Sequence, residues 1–322
     1  GEQLTPPPIV NATHVTEFIL TGFPNPWEIE ILLFLIFFII LMATMIGNTI
    51  IITLIIIDYR LHSPMYFFLC NLSVIEIFAT LTVVPKMMQN FLLEKKSISF
   101  YGCLGQSYFY FLFGTSEYVL LAMMSYDRYA AICYPLRYST IMSGKVCVNL
   151  VVGSWMSGFF SILVPTVMKL GLPYCGPNVI DHFFCDSAPL LHLACTDISL
   201  VELIDFLVSL PILLGSLLLT LISYFYIINT ILRIPSATGR QKAFSTCASH
   251  FTVVTIGYGT SVFIYVRPSQ ANSMSFNKIA SLVTTAVTPL LNPIIFTFRN
   301  QKVQEVFRDS VNKYIKKRKE GD

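Results

Sequence analysis

Residues 31–57 read ILLFLIFFIILMATMIGNTIIITLIII, an unbroken run without Asp, Glu, Lys or Arg. At a rise of about 1.5 Å per residue, a helix of that length crosses the roughly 30 Å hydrocarbon core of a bilayer. The same test finds four further charge-free runs: Val146 to Met168, Phe206 to Leu232, Ala243 to Val266 and Ile279 to Phe298. Two more qualify when one acid apiece is admitted, Pro64 to Val84 around Glu76 and Ser97 to Tyr126 around Glu117. Composition agrees, since 54% of the 322 residues are hydrophobic and only 12% charged, where soluble domains carry about a quarter. Backbone polar groups in lipid must be satisfied within each segment, so the runs should be helices; they are too long for barrel strands. The expected fold class is an all-α membrane protein, a seven-transmembrane helix bundle with a short amphipathic cytoplasmic helix.

With seven spans, the termini lie on opposite sides of the membrane. An outside amino terminus puts 15 of the 21 Lys and Arg in cytoplasmic loops and tail and six outside, the bias of the positive-inside rule. The chain then divides into an extracellular N-terminus at 1–28, a helix domain at 29–298 with a second extracellular loop at about 170–200, and a cytoplasmic helix with basic tail at 299–322. The first 30 residues hold Glu2, Glu17, Glu28 and Glu30 and no basic residue, unlike a cleaved signal peptide, so the first span is expected to direct insertion. Asn11, in the sequon NAT, faces the compartment where glycans are added, whereas Asn71 in NLS falls inside the second span. In the tail, Val303, Val306, Phe307 and Val311 recur at helical spacing, which fits a surface helix whose Lys and Arg favour anionic membrane lipid.

Cys70, Cys133, Cys147 and Cys247 fall in spans or on the cytoplasmic side, where thiols stay reduced. Cys103, Cys175, Cys185 and Cys195 all fall outside, three of them in the loop LPYCGPNVIDHFFCDSAPLLHLACTD. Four cysteines allow three connectivities. Two bridges are expected, one tying the loop to Cys103 at the outer end of the third span and laying it across the bundle mouth. His182, Cys185 and Asp186 in HFFCD can each ligate a metal, but an oxidised Cys185 offers no thiolate.

Glu76 and Glu117 have no basic residue at mid-span to pair with. A charge at the centre of an inserted helix costs about 2.5–3.5 kcal/mol, so both should face the bundle interior. Either a cation such as Na⁺ or a shared proton would relieve the pair, with Asn48 and Asn292 as hydrogen-bond partners. No other cofactor is implied. Pro293, Gly257 and Gly259 mark places where the seventh and sixth helices can hinge.

No GxSxG elbow, HExxH helix or P-loop occurs, so hydrolase, zincin and nucleotide-hydrolysis chemistry is without support and an enzyme is not expected. Nothing points to nucleic acid. Paired similar halves are not visible, which leaves a transporter as the second reading behind a receptor. A receptor pocket can be drawn from spacing. Tyr110, Phe111, Gly114, Thr115 and Tyr118 share one face of the third helix; Val208, Ser209 and Ile212 on the fifth, Tyr258, Ser261 and Tyr265 on the sixth, and Leu282 and Thr285 on the seventh lie at similar depth. Such a lining suits a small hydrophobic ligand. No acid lies on the outer part of the third helix, which argues against an amine, whereas Arg267 and Lys169 near the mouth leave a carboxylate open.

Six motifs stand in order along the chain: GN at Gly47 and Asn48, PMYFFL from Pro64, SYDRYAAICYPLRY from Ser125, SY at Ser223, KAFSTCASH from Lys242 and PLLNPIIF from Pro289. Together with the three-cysteine outer loop they resemble the odorant receptors, rhodopsin-like G-protein-coupled receptors, and HFFCD is similar to the tetrapod-type class II group. The resemblance implies bridges Cys103–Cys185 and Cys175–Cys195. It implies that Asp127, Arg128, Tyr129, Tyr224, Lys242 and His250 serve coupling to a heterotrimeric G protein of the stimulatory, olfactory type, raising cAMP in olfactory cilia or, for a chemoreceptor of the same fold, in other tissue. It also places Tyr258 at the toggle position, and Ala286 where opsins carry the retinal lysine, so no Schiff base is expected.

Overall fold

The apolar runs fold as helices, most of which extend past the run at one end or both. In the computed structural model, which describes residues 15–23, 26–175, 177–266 and 273–319, chain order begins with strand β1 (Glu17–Leu20), α1 (Trp27–Ile57) and α2 (Pro64–Leu92). It continues through β2 (Ser97–Ser99), α3 (Phe100–Cys133), α4 (Tyr138–Ile141), α5 (Gly144–Leu170), β3 (Val179–Ile180), α6 (Ser187–Leu191), α7 (Ser199–Leu232) and α8 (Ala237–Val266). The seventh span is α9 (Ser273–Leu282) and α10 (Thr288–Arg299) joined by a π-turn at Val283–Val287, and α11 (Gln301–Lys319) follows it. Side chains at 242, 246, 262–266, 273–276, 297–299 and 314–319 lie outside the description, as do Asn11 and Arg267. The helices overrun the charge-free runs because the backbone ladder continues beyond the lipid boundary, and Pro85, Pro165, Pro211 and Pro293 lie inside helices without ending them. Ser99 accepts the Gly102 N–H at 3.1 Å to start α3, and Pro64 opens α2 behind Ser63.

Mean hydropathy alone picks out five membrane-length segments among the described residues: α1, α2, α5, α7 and Asn277–Phe296. α3 and α8 have the length but carry polar faces, including buried Gln106, Asp127 and Arg128 on α3 and Ser249 and His250 on α8. The physical reason is position. α3 packs against α2, α5, α7 and α8 at once, so protein rather than lipid surrounds most of its surface.

Ends of the bundle are called outer and inner after the sequence-derived topology. The outer end departs from the all-α expectation: a small sheet forms there in the order β2-β1-β3. β1 pairs antiparallel with β2 (Phe18 opposite Ile98) and parallel with β3 (Leu20 opposite Ile180). Alternation decides its faces, since Phe18 and Leu20 are fully buried while Glu17 and Ile19 are not. Segment 97–99, expected to open the third helix, is this sheet's edge instead.

The GN pair joins the first span to the seventh. Asn48 Nδ2 donates to Pro289 O at 3.3 Å, and a Cβ at Gly47 would lie 3.0 Å from Pro293 Cβ. Close approach is tighter still between α3 and α5, where a Cβ at Gly158 would meet Ser116 Oγ at 2.2 Å and Leu112 O at 2.5 Å. Backbone cannot yield there as a side chain would. Gly158→Val should therefore cost about 1–3 kcal/mol by overpacking, read as lower surface expression and a lower melting temperature in detergent. An unchanged melting temperature would show that the two helices are not in van der Waals contact.

Candidate functional site

Helical spacing on α3 builds the outer wall, and the disulfide fixes what covers it. Cys103 bridges Cys185 with Cα atoms 5.3 Å apart, while Cys175 bridges Cys195 within the loop at 5.6 Å. Tyr110 lies two turns below Cys103, so the residue beside Cys185 arrives over the same face. Phe184 does so: its ring centroid is 4.5 Å from that of Tyr110. Leu282 packs into the same apolar cluster with buried Phe183 and Phe184. Tyr110 Oη is 3.4 Å from Thr284 Oγ1, and Thr285, the expected residue, lies within reach of the same hydroxyl; both threonines also donate to Ser281 O, at 2.9 and 2.6 Å. Both threonines fall in the π-turn, whose wider turn shifts the register that simple helical spacing assumes.

One tier deeper, Tyr118 hydrogen-bonds Ser261 Oγ, and the Tyr258 O–H donates to Tyr118 O at 3.1 Å. The two tyrosine rings lie 5.2 Å apart. Between the tiers Gly114 faces open space, with nothing within 4 Å of a Cβ built on it. Phe111 packs edge-on to Tyr110, and Thr115 is half-buried beside it. Val208, Ser209 and Ile212 sit half-buried on α7 without hydrogen-bond or ring contact to the other candidates among the described residues. The side chain of Tyr265 lies outside the description.

The rim is ionic. Lys169 Nζ sits 2.8 and 3.1 Å from the Asp205 carboxylate, so it is not the free cation that a carboxylate ligand would need. Lys278 Nζ donates to Asp181 Oδ1 at 2.6 Å and to Gly22 O at 3.0 Å. The HFFCD residues do not converge on a metal: Cys185 is in a disulfide, Asp186 accepts from Ser187 N at 2.8 Å, and His182 is wedged between Phe183 and Phe184.

At mid-span, Asn292 Nδ2 donates to Glu76 Oε1. Among the described residues, Glu76 Oε2, Asn48 Oδ1, Asn292 Oδ1 and the hydroxyls of Thr44 and Thr80 are buried without a hydrogen-bond partner, while the Ser116 hydroxyl faces Gly158 of α5. Glu117, half-buried, makes no hydrogen bond or ion pair among the described residues.

At the inner end Asp127 and Arg128 pair with each other, Arg128 Nε lying 3.0 Å from Asp127 Oδ2, and the Tyr138 O–H donates to Asp127 Oδ1 at 2.6 Å. Tyr224 Oη meets His250 Nδ1 at 2.6 Å, and the two rings stack. Arg128 is 7% and His250 0% exposed, so neither presents itself at the surface in this packing. Tyr129 turns away from the pair, packing against Tyr134 and Tyr226. The Lys242 side chain lies outside the description.

Sequence reasoning missed Phe183, Phe184 and Thr284. Adjacency to a half-cystine gave a usable signal for Phe184; a π-turn leaves none.

A family model described as olfactory receptor matches residues 34–315. The chain is 53% identical over 295 residues to human olfactory receptor 6J1, covering 92% of this chain and 85% of that one. It is 52% identical to human olfactory receptor 6T1 (94% and 93% covered) and 48% identical to mouse olfactory receptor 6E1 (96% and 99% covered). Among solved structures, squid rhodopsin superposes with a TM-score of 0.66 at 16% identity, covering 92% of this chain and 91% of the other.

Burial, with the Lys278 cation adding to it, depresses His182 from 6.5 to about 3. The folded state then binds fewer protons than the unfolded one below about pH 6.5, so packing of the loop weakens as pH falls from there toward 3. Protection factors over residues 180–186, which divide out the intrinsic pH dependence of amide exchange, should fall across that window, opposed in part by Asp186, whose carboxyl is pushed up to about 6 by burial, and His182→Phe should lessen the fall.

Proposed function

Because the chain belongs to the olfactory receptor family, whose members are signalling receptors and not enzymes, we propose that it binds a small, mostly apolar odorant against the two tiers of α3 and signals through a stimulatory, olfactory-type Gα that raises cAMP. The carrying observation is the Tyr118–Ser261 and Tyr258–Tyr118 bonding, which ties α3 to α8 directly below the candidate ligand wall. The same two helices carry Arg128 and His250 at the inner end. An odorant that favours a different packing of Tyr258 biases how these helices sit, and the inner end of α8 swings outward. Opening frees Arg128 from Asp127 to face the carboxy-terminal helix of the Gα subunit, beside Tyr224. Shifting such an equilibrium from 1:99 to 99:1 needs about 5.5 kcal/mol of differential binding, which odorant and G protein share because their coupling is reciprocal.

Setting follows from this role: plasma membrane of olfactory cilia, amino terminus outside, a glycan on Asn11. Lipid contact at the inner leaflet falls to α11, which buries Val303 and Val306 against the bundle and leaves Phe307 and Val311 exposed. The unpartnered oxygens around Glu76 fit a hard cation, and Na⁺ there would be held by Glu76, with Glu117 supplying a second carboxylate on the neighbouring helix.

In cells expressing the receptor with an olfactory-type Gα and a cAMP reporter, some members of an odorant panel should raise cAMP. Arg128→Ala should abolish that response at unchanged surface expression; a response that survives would rule out the latch. Gly114→Leu, which fills the open space between tiers, should raise the half-maximal concentration about tenfold or more. Glu117→Gln should remove Na⁺ dependence of the odorant response, and dependence that persists would leave the carboxylates to a proton alone.

A further inference from the structure

Two buried lysines lie at the outer end of the bundle, beyond the candidate ligand wall. Lys278 lies one turn outward of Leu282 on α9, and Asp205, which holds Lys169, lies one turn outward of Val208 and Ser209 on α7. Side chains of Lys169 and Lys278 are 6% and 7% exposed. An ammonium this far from water without a counter-ion would be the strongest available anchor for a carboxylate ligand. Each instead has its own aspartate, and the Asp186 carboxyl faces Lys169 as well. Asp205 takes Lys169 and is held by the Ser187 hydroxyl at 2.9 Å; Asp181 takes Lys278 and is held by the Thr21 hydroxyl at 2.7 Å. Both clamps also pin the outer loop, one to α5 and α7, the other to α9 and the segment after β1, so the aspartates cannot swing away without releasing the loop.

We propose that Asp181 and Asp205 set the charge selectivity of the ligand site, each neutralising a buried lysine above it so that the site takes uncharged odorants and refuses carboxylates. This rests on the reading of the α3 wall as the odorant site. A carboxylate entering past the rim meets two fixed like charges and finds both ammonium groups occupied. An alcohol, aldehyde or ketone pays no such penalty and can use the hydroxyls below.

The test is a carbon-matched series of alcohol, aldehyde and carboxylate, of about six to ten carbons, applied to the full-length receptor with a cAMP readout. Wild type should respond to the uncharged members at concentrations about tenfold or more below the matched carboxylate. Asp205→Asn and Asp181→Asn keep the side-chain shape and remove the charge. At least one should gain about tenfold sensitivity to the carboxylate while its response to the alcohol moves by less than about threefold. Adding Lys169→Met to Asp205→Asn, or Lys278→Met to Asp181→Asn, removes both charges and should abolish the gain without altering the alcohol response. Surface labelling accompanies every variant, and the two clamps are independent, so loss of one variant to misfolding leaves the other. A wild type that answers the carboxylate as strongly as the alcohol overturns the proposal, as do surface-expressed, alcohol-responsive variants that stay deaf to the carboxylate. If instead the alcohol response of wild type is untouched by Gly114→Leu, the site itself is elsewhere, and the charge rule falls with it.

Discussion

An unsatisfied backbone amide in hydrocarbon costs several kcal/mol, and that penalty disciplines every other choice this chain makes. It forces the spans into helices, because only a helix satisfies its own peptide groups. It then sorts the helices by surroundings. α1 and α7 can be apolar nearly all round because they face lipid. α3 cannot be read that way, since its neighbours are protein, and there the chain places Glu117, Asp127 and Arg128. The polar residues are tolerated where the bundle itself replaces water as the partner.

Both ends of α3 are fixed by bonds that hydrocarbon would not allow to stay open. At the outer end the disulfide to Cys185 and the clamps Lys169–Asp205 and Lys278–Asp181 hold the loop as a cover, with β1 stitched into it as a third strand. At the inner end Asp127 neutralises Arg128, and Tyr138 completes the coordination of the acid. Between them runs a column of aromatic and hydroxyl side chains. In this packing the Tyr118–Ser261 and Tyr258–Tyr118 bonds tie α3 to α8 partway along that column.

The motif residues look different once the packing is known. Gly47 is small because Pro293 lies against it, and Asn48 is an amide because Pro289 offers a carbonyl. His250 and Tyr224, which the resemblance places at the G-protein interface, are bonded to each other in the interior, and Tyr129 packs toward α7.

Seven apolar runs, the uneven spread of Lys and Arg between their ends and the grouping of four cysteines at one end were legible in the sequence alone, because each depends on local composition summed along one segment. The family could be read there too, from six motifs in order. Tertiary structure decided what one segment cannot know about another. The amino-terminal strand exists because β2 and β3 lie on either side of it, and Thr284 joins Thr285 beside Tyr110 where the π-turn widens the helix. Lys169, which in sequence is a cation near a mouth, is neutralised by an aspartate 36 positions away. Charge, register and strand pairing are properties of neighbours in space, and only the folded chain assigns those neighbours.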